Sequence, residues 1–399
     1  MKKIILSFVA LSAIALTSCS SDDDNNSILP VDPVDPTEPV ATFAKEVADI
    51  DLDGVEVPET YDFLRGGMTT VAYPGQTTRI GMAAELTNDA LKDDSSTPEK
   101  LNNMFREGTD FSDASLTGKK LREKTGDSDL FGTSEKAAIK TYFDALIADQ
   151  TSNVFPSWGA TAASGVAGQI ADGTSTRYVN TKGIENNQIF AKGLIGALQV
   201  DQAINGYMTK VENDDNEASG LGAGEYTTME HHFDEAYGYL MNPNDGSFFG
   251  KYLPKVDSNQ NFTGIESQID EAFRIARQAI IDEKYAVRDQ AIEVLRYQVS
   301  VAVAVRTIHY LQAGKNAIDP TDMGGAFHDL SEGIGFVYSL RFLRKSDEVA
   351  PYFTMAEVDG FIADLTEGNG LWDVTPATLD SICEDIAAKF DFTVEEAAL

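Results

Sequence analysis

The chain is 399 residues long, and its 31 Lys+Arg against 64 Asp+Glu give a formal charge of −33. So acidic a balance excludes nucleic acid as a partner and disfavours docking on anionic lipid by charge. The two cysteines, Cys19 and Cys383, are too few for a thiolate metal cluster.

Taken in chain order, Lys2 and Lys3 precede an apolar run from Ile4 to Leu16. A basic start and a short apolar stretch predict a signal peptide over residues 1–18 rather than a spanning helix. Leu16-Thr17-Ser18-Cys19 resembles a bacterial lipobox, which implies cleavage before Cys19 and lipid attachment to its thiol. The acidic run Asp22-Asp23-Asp24 behind it resembles the surface-export signals of Bacteroidota lipoproteins and reads equally well as a solvated spacer. Residues 27–42 carry X-Pro units throughout, so 19–42 are expected to be a semi-rigid tether. Together these segments predict an outer membrane lipoprotein, facing the periplasm or the cell surface and held to the membrane by its anchor.

Beyond residue 43 the chain reads as mainly α, with a small extended element near its start. Val55, Val57, Tyr61 and Phe63 alternate with polar residues, and Gly66-Gly67 and Pro74-Gly75 punctuate them, which predicts short strands. The Asp49-to-Gly54 stretch opens like a calcium loop, but Thr60 stands where the closing Glu is needed. Apolar residues then recur at three- and four-residue spacing. The expected helices are 78–92, 134–150, 185–211, 226–241, 264–282, 284–313, 322–345, 355–366 and 376–390. Ser134 with Glu135, Thr321/Asp322 and Thr375 before Pro376 are candidate start signals, and Gly314 a stop signal. Ser157 to Asn180 and Asn242 to Gly246 read as loops.

Four histidines occur in the whole chain, and their placement carries the chemistry. His232 and Glu235 are three apart, and His328 and Glu332 four apart, so each pair shares a helix face. Helical bundles build metal sites from such inward imidazoles and carboxylates. Two His and two carboxylates suit zinc, iron or manganese. Each pair also reads as ordinary structural pairing, and spacing alone does not decide. A shared ion requires His232 and His328 within ~8 Å of each other. His309, on a Val/Ala-rich helix, reads as a core or interface histidine, and His231 as solvent-facing. No His-Glu-x-x-His, Gly-x-Ser-x-Gly, Walker or dinucleotide fingerprint occurs.

There is also an internal similarity. Gln188 to Gly196, with Lys192-Gly193, resembles His328 to Gly335, with Glu332-Gly333. Glycine inside a helix costs about 1 kcal/mol relative to alanine, so its recurrence beside a polar pair predicts close helix approach there.

The run His232-Phe233-Asp234-Glu235-Ala236-Tyr237-Gly238-Tyr239, with Lys192 to Gly196 and His328 to Gly335, resembles the imelysin-like lipoproteins. Within that group it is most similar to a Bacteroidota lipoprotein family of unassigned function. His232-Phe-Asp-Glu235 stands where their Gly-x-His-x-x-Glu motif falls, with Glu230 in place of the glycine. The resemblance implies up-down helical bundles over residues 43–395, two in number and related by duplication, with a boundary near 212–225. It also implies a role beside iron- or haem-uptake machinery. The leading expectation is therefore an envelope lipoprotein holding a divalent metal, iron or zinc, or a metal complex, through His232 and Glu235, helped by His328 and Glu332. The alternatives are a metal-dependent hydrolase with Glu235 as general base, and a surface interaction protein without a small ligand.

Overall fold

The computed structural model describes residues 43–243, 245–346 and 350–399. The signal peptide, Cys19 and the tether lie outside the described residues.

Residues Phe43–Leu399 make one compact unit, and it is mainly helical. In chain order it contains strands β1 (Leu64–Arg65) and β2 (Met68–Thr69), then helices α1 (Pro74–Asn88), α2 (Pro98–Asn102), α3 (Leu121–Lys124) and α4 (Thr133–Asp149). A hairpin of β3 (Gly168–Asp172) and β4 (Ser175–Val179) follows. Next come α5 (Asn186–Leu194), a π-helical run over Ile195–Tyr207, and α6 (Met208–Val211), which together form one continuous rod. The remaining helices are α7 (Thr228–Leu240), α8 (Phe249–Asp257), α9 (Ile265–Ile281), α10 (Tyr285–Asn316), α11 (Gly324–Ser339), α12 (Met355–Leu365), α13 (Pro376–Ala387) and α14 (Val394–Ala398). Among the described residues no helix is long and apolar enough to cross a membrane.

The local reasons are legible. Gly66 and Gly67, at φ 60° and 79°, supply the two positive-φ positions of a tight hairpin turn between β1 and β2. Pro74 starts α1 at its first helical position, where a missing N–H costs nothing. Thr227, Thr354 and Thr375 cap α7, α12 and α13 with their hydroxyls. One apolar cluster, reaching from Ala44 to Ala397, binds the unit. Its centre is α10, whose Val299-to-Val305 stretch is buried on every side and which packs most extensively on α9 and α11. Full burial of each Val, Ile or Leu there contributes roughly 1.5–3 kcal/mol.

Several boundaries differ from the expectation. α10 runs through Gly314 to Asn316. Gly314 does not stop it; a Cβ there would sit 2.5 Å from Leu330, so the glycine serves the approach of α11. α11 starts at Gly324, not at Thr321/Asp322, because Thr321 bonds back to Asp319 instead of capping. α4 opens at Thr133, where the Gly132 N–H donates to Glu135. The stretch read as a Gly/Ser/Thr loop contains β3 and β4. Their alternation is weak, and Tyr178 gains its stability by stacking on Trp158 at 3.5 Å between ring centres. Helix α8 is new as well. Pro254 masks it in the sequence, although Phe249, Tyr252, Leu253 and Val256 keep the helical spacing and are buried.

The two similar segments lie against each other, with α5 and α11 running the same way. Glu185 meets Ser331, Lys192 meets Gly335, and Gly196 meets Ser339. A Cβ on Gly335 would fall 2.5 Å from Lys192 Cβ, and one on Gly196 2.6 Å from Ser339 Cα. Gly196 admits the Ser339 hydroxyl into the helical ladder: the Gly196 N–H donates to Ser339 Oγ at 3.0 Å, and Oγ donates to the Lys192 carbonyl at 2.8 Å. A side chain wedged between a donor and its carbonyl four residues back opens the helix. The rod changes from α to π at this place.

Candidate functional site

Helix α7 carries two different polar faces. On one, Glu230 closes the capping box with Thr227, its carboxylate accepting the Thr227 N–H at 2.7 Å. The same carboxylate takes Arg65 and Arg277, each at 3.0 Å. One turn on, Asp234 accepts from Arg277 Nε at 2.9 Å and from the Tyr61 hydroxyl at 2.8 Å. Arg277 is fully buried. Burial works against its charge, but Asp234, Tyr61 and Glu230 outweigh that and raise its pKa. The glycine expected at 230 is therefore replaced by a residue that caps the helix and neutralises a buried guanidinium.

The other face holds His231, His232, Glu235 and Tyr239. His232 Nδ1 lies 2.7 Å from Asp214 Oδ2. Glu235 accepts from Gln76 Nε2 at 2.9 Å, and the Tyr207 hydroxyl accepts from the same amide at 3.4 Å; the Tyr207 pKa rises well above its ordinary value, through burial first and then Tyr239 and Glu235. Tyr207 also packs its ring 5.7 Å from the His232 ring. Gln76 is wholly buried, and its Oε1 has no partner among the described residues. His231 is not solvent-facing as expected. It is half-buried and stacks on Tyr226 at 4.6 Å, and burial lowers its pKa although Glu235 pulls the other way. The reason is the segment ahead of α7, which folds Tyr226 back over the helix start.

The π-run continues this polar seam into the core. Asp201, fully buried, accepts the Ser128 N–H at 3.0 Å, the Ser128 hydroxyl, and the amides of Gln202 and Asn205 at 3.3 Å each. Burial nevertheless pushes its carboxyl up to about 6. A folded-state pKa above the unfolded value, ~3.9, contributes stability that is fully present below pH ~4 and lost as pH rises through about 6. A shift of about two units corresponds to about 3 kcal/mol. Asp201→Asn is therefore expected to remove a decline of this size between pH 4 and 7. The check is urea unfolding of both proteins across that range; a stability difference that does not change with pH would contradict it.

The second pair sits elsewhere. His328 Nδ1 lies 3.2 Å from Glu185 Oε1, and its Nε2 3.7 Å from Glu332. Glu332 is committed to Lys192 at 3.0 Å. Its pKa is lowered: burial opposes the charge, but Lys192, Tyr310 and His328 outweigh it. Glu185 precedes the first turn of the rod, whereas Tyr207, against His232, lies near its far end. At a rise of about 1.5 Å per residue these points are ~30 Å apart. The structure does not bring His232 and His328 together, so the two pairs do not share one ion. Among the described residues no group of three or more His, Cys, Asp or Glu side chains is arranged to hold a metal ion.

Sequence reasoning missed Asp214, Gln76 and Tyr207. Asp214 lies in an acidic turn, and nothing in its neighbours marks it as a histidine partner. Lys192 stood in the similar segments without being matched to Glu332.

The fold and this site define a mainly α-helical protein with a polar seam running from α7 into a π-helical core. The family model described as "Domain of unknown function (DUF4856)" matches residues 58–393, and the chain belongs to that family. No curated protein matches the chain, and no solved structure does.

Proposed function

We propose that this protein is a lipid-anchored envelope protein that binds a metal complex, of the kind handled in iron or haem uptake, at the α7 site. The observation that carries the reading is the Asp214–His232 contact at 2.7 Å. A carboxylate on Nδ1 holds the proton there, orients the ring and leaves Nε2 as a donor, as in metal-bound histidines. Glu235 lies one turn along the same face, and the unpartnered Gln76 Oε1 lies beside it. Two strong donors fall short of the four that a bare zinc ion takes. The site therefore suits a metal, iron or zinc, that arrives with ligands of its own and leaves one or two positions for the protein. The lipobox at Cys19 supports the envelope location, where such capture serves uptake machinery.

The test is elemental analysis of protein purified without chelator, followed by calorimetric titration with ferric citrate and with haem. His232→Ala, Glu235→Gln and Asp214→Asn are each expected to weaken binding about 10- to 100-fold, the usual cost of losing a ligand or the group that orients it. Equal binding by wild type and His232→Ala would overturn the site, and failure of wild type to bind metal or either complex would overturn the reading.

A further inference from the structure

A second place in the molecule gathers positive charge without enough counter-charge. The ring of Tyr252, on α8, has four cations around it: Lys192 at 5.4 Å, Lys251 at 5.6 Å, Lys255 at 5.4 Å and Arg306 at 5.5 Å. Arg306 also lies 4.6 Å over the ring of Tyr310. In a chain of formal charge −33 such a cluster is conspicuous. Only Lys192 is neutralised, by Glu332. Among the described residues, Lys251, Lys255 and Arg306 form no ion pair.

Arg306 is the decisive group. It is only 6% exposed, and its buried Nε has no hydrogen-bond partner. A guanidinium brought this far out of water is ordinarily matched by a carboxylate, and aromatic faces offset part of that cost only. Arg306 and Lys255 line a cavity of about 480 Å³, whose remaining wall is Ser258, Asn259, Gln260, His309 and Leu399. That volume takes a small organic molecule. His309 is thus neither plain core nor solvent: its Nδ1 lies 3.2 Å from the Leu399 backbone oxygen, and it faces the cavity. Lys255 has its pKa lowered by burial and then by Arg306 and Lys251, and His309 by burial and then Arg306.

We infer that this cavity is a binding site for a small oxyanion, a phosphate or a di- or tricarboxylate, held by Arg306 and Lys255 with Asn259 and Ser258 on the wall. The guanidinium fork suits a planar carboxylate or a phosphate face, and the lysine adds a point charge. The site uses none of the residues of the α7 face and stands independently of the proposal made for it.

The test is calorimetric titration of the protein with inorganic phosphate and with citrate, at low and at moderate salt, and flotation with phosphatidylglycerol vesicles. At least one soluble anion is expected to bind. Arg306→Gln and Lys255→Gln should each lose about tenfold or more, as expected for a charge-assisted contact, while His232→Ala should leave binding unchanged. Lys255 is exposed, so its variant tests the site even if Arg306→Gln fails to fold. The inference is overturned if neither anion binds, if binding survives in Lys255→Gln, or if only vesicles are bound.

Discussion

Replacing Arg277 with Met is expected to lower the unfolding free energy by about 3–5 kcal/mol, the cost of removing one partner from a buried ionic group. Arg277 donates from Nε to Asp234, from Nη1 to Glu230 and from Nη2 to the Thr70 hydroxyl. It also lies 4.9 Å over the Phe63 ring. With the guanidinium gone, Asp234 keeps only the Tyr61 hydroxyl, and Glu230 keeps Arg65 at the edge of the network. Arg277→Lys should recover little, because one ammonium cannot reach three partners in the plane of a fork. Urea unfolding measures both variants. A loss below about 1 kcal/mol for Met would mean that water reaches these carboxylates. The same variants bear on the α7 site, since Glu230 and Asp234 fix the helix that presents His232 and Glu235.

Gly196→Ala is expected to cost about 1–3 kcal/mol, the range for overfilling a packed interior. The added Cβ would lie 2.6 Å from the Ser339 Cα, Cβ and Oγ alike. Backbone stands in its way, so the start of the π-run and α11 must move apart. The substitution also disturbs the Ser339 bridge that links the Gly196 N–H to the Lys192 carbonyl. Ser339→Ala separates the two effects. It creates no clash but leaves a buried donor and acceptor to find each other, at roughly 1–3 kcal/mol if they fail to. If Ser339→Ala is neutral and circular dichroism is unchanged, the π-run persists without the hydroxyl, and the hydroxyl is not what opens it.

The helices were largely legible because their causes are local. Thr375 before Pro376 caps α13 as its sequence predicts, and Gly66-Gly67 turns the first hairpin. The recurrence of Gly beside Lys192 and Glu332 announced a close approach, and α5 and α11 do meet at Lys192, through Gly335, whereas Gly333 faces Leu311 on α10. The misses share a different cause. Gly314 carries the same residue type as a stop signal but answers to Leu330 on another helix. Pro254 resembles a breaker, yet it falls in the last turn of α8, where the apolar face already holds the helix down.

The candidate site divides in the same way. The His232–Glu235 and His328–Glu332 spacings were readable from helical periodicity alone. Their separation by the length of a rod was not, because it depends on how α7 and α11 each dock on the α5–α6 rod. Nor was the pairing of Glu230 and Asp234 with Arg277, more than forty residues away in sequence. The sequence by itself determined the helical periods, the caps, the tight turn and the acidic balance, since each rests on interactions within a few residues or on composition. Tertiary structure decided which carboxylates neutralise which cations, where the helix opens around Ser339, and that Arg306 is buried without a counter-charge. Those outcomes depend on desolvation and on register between distant segments, which no local pattern encodes.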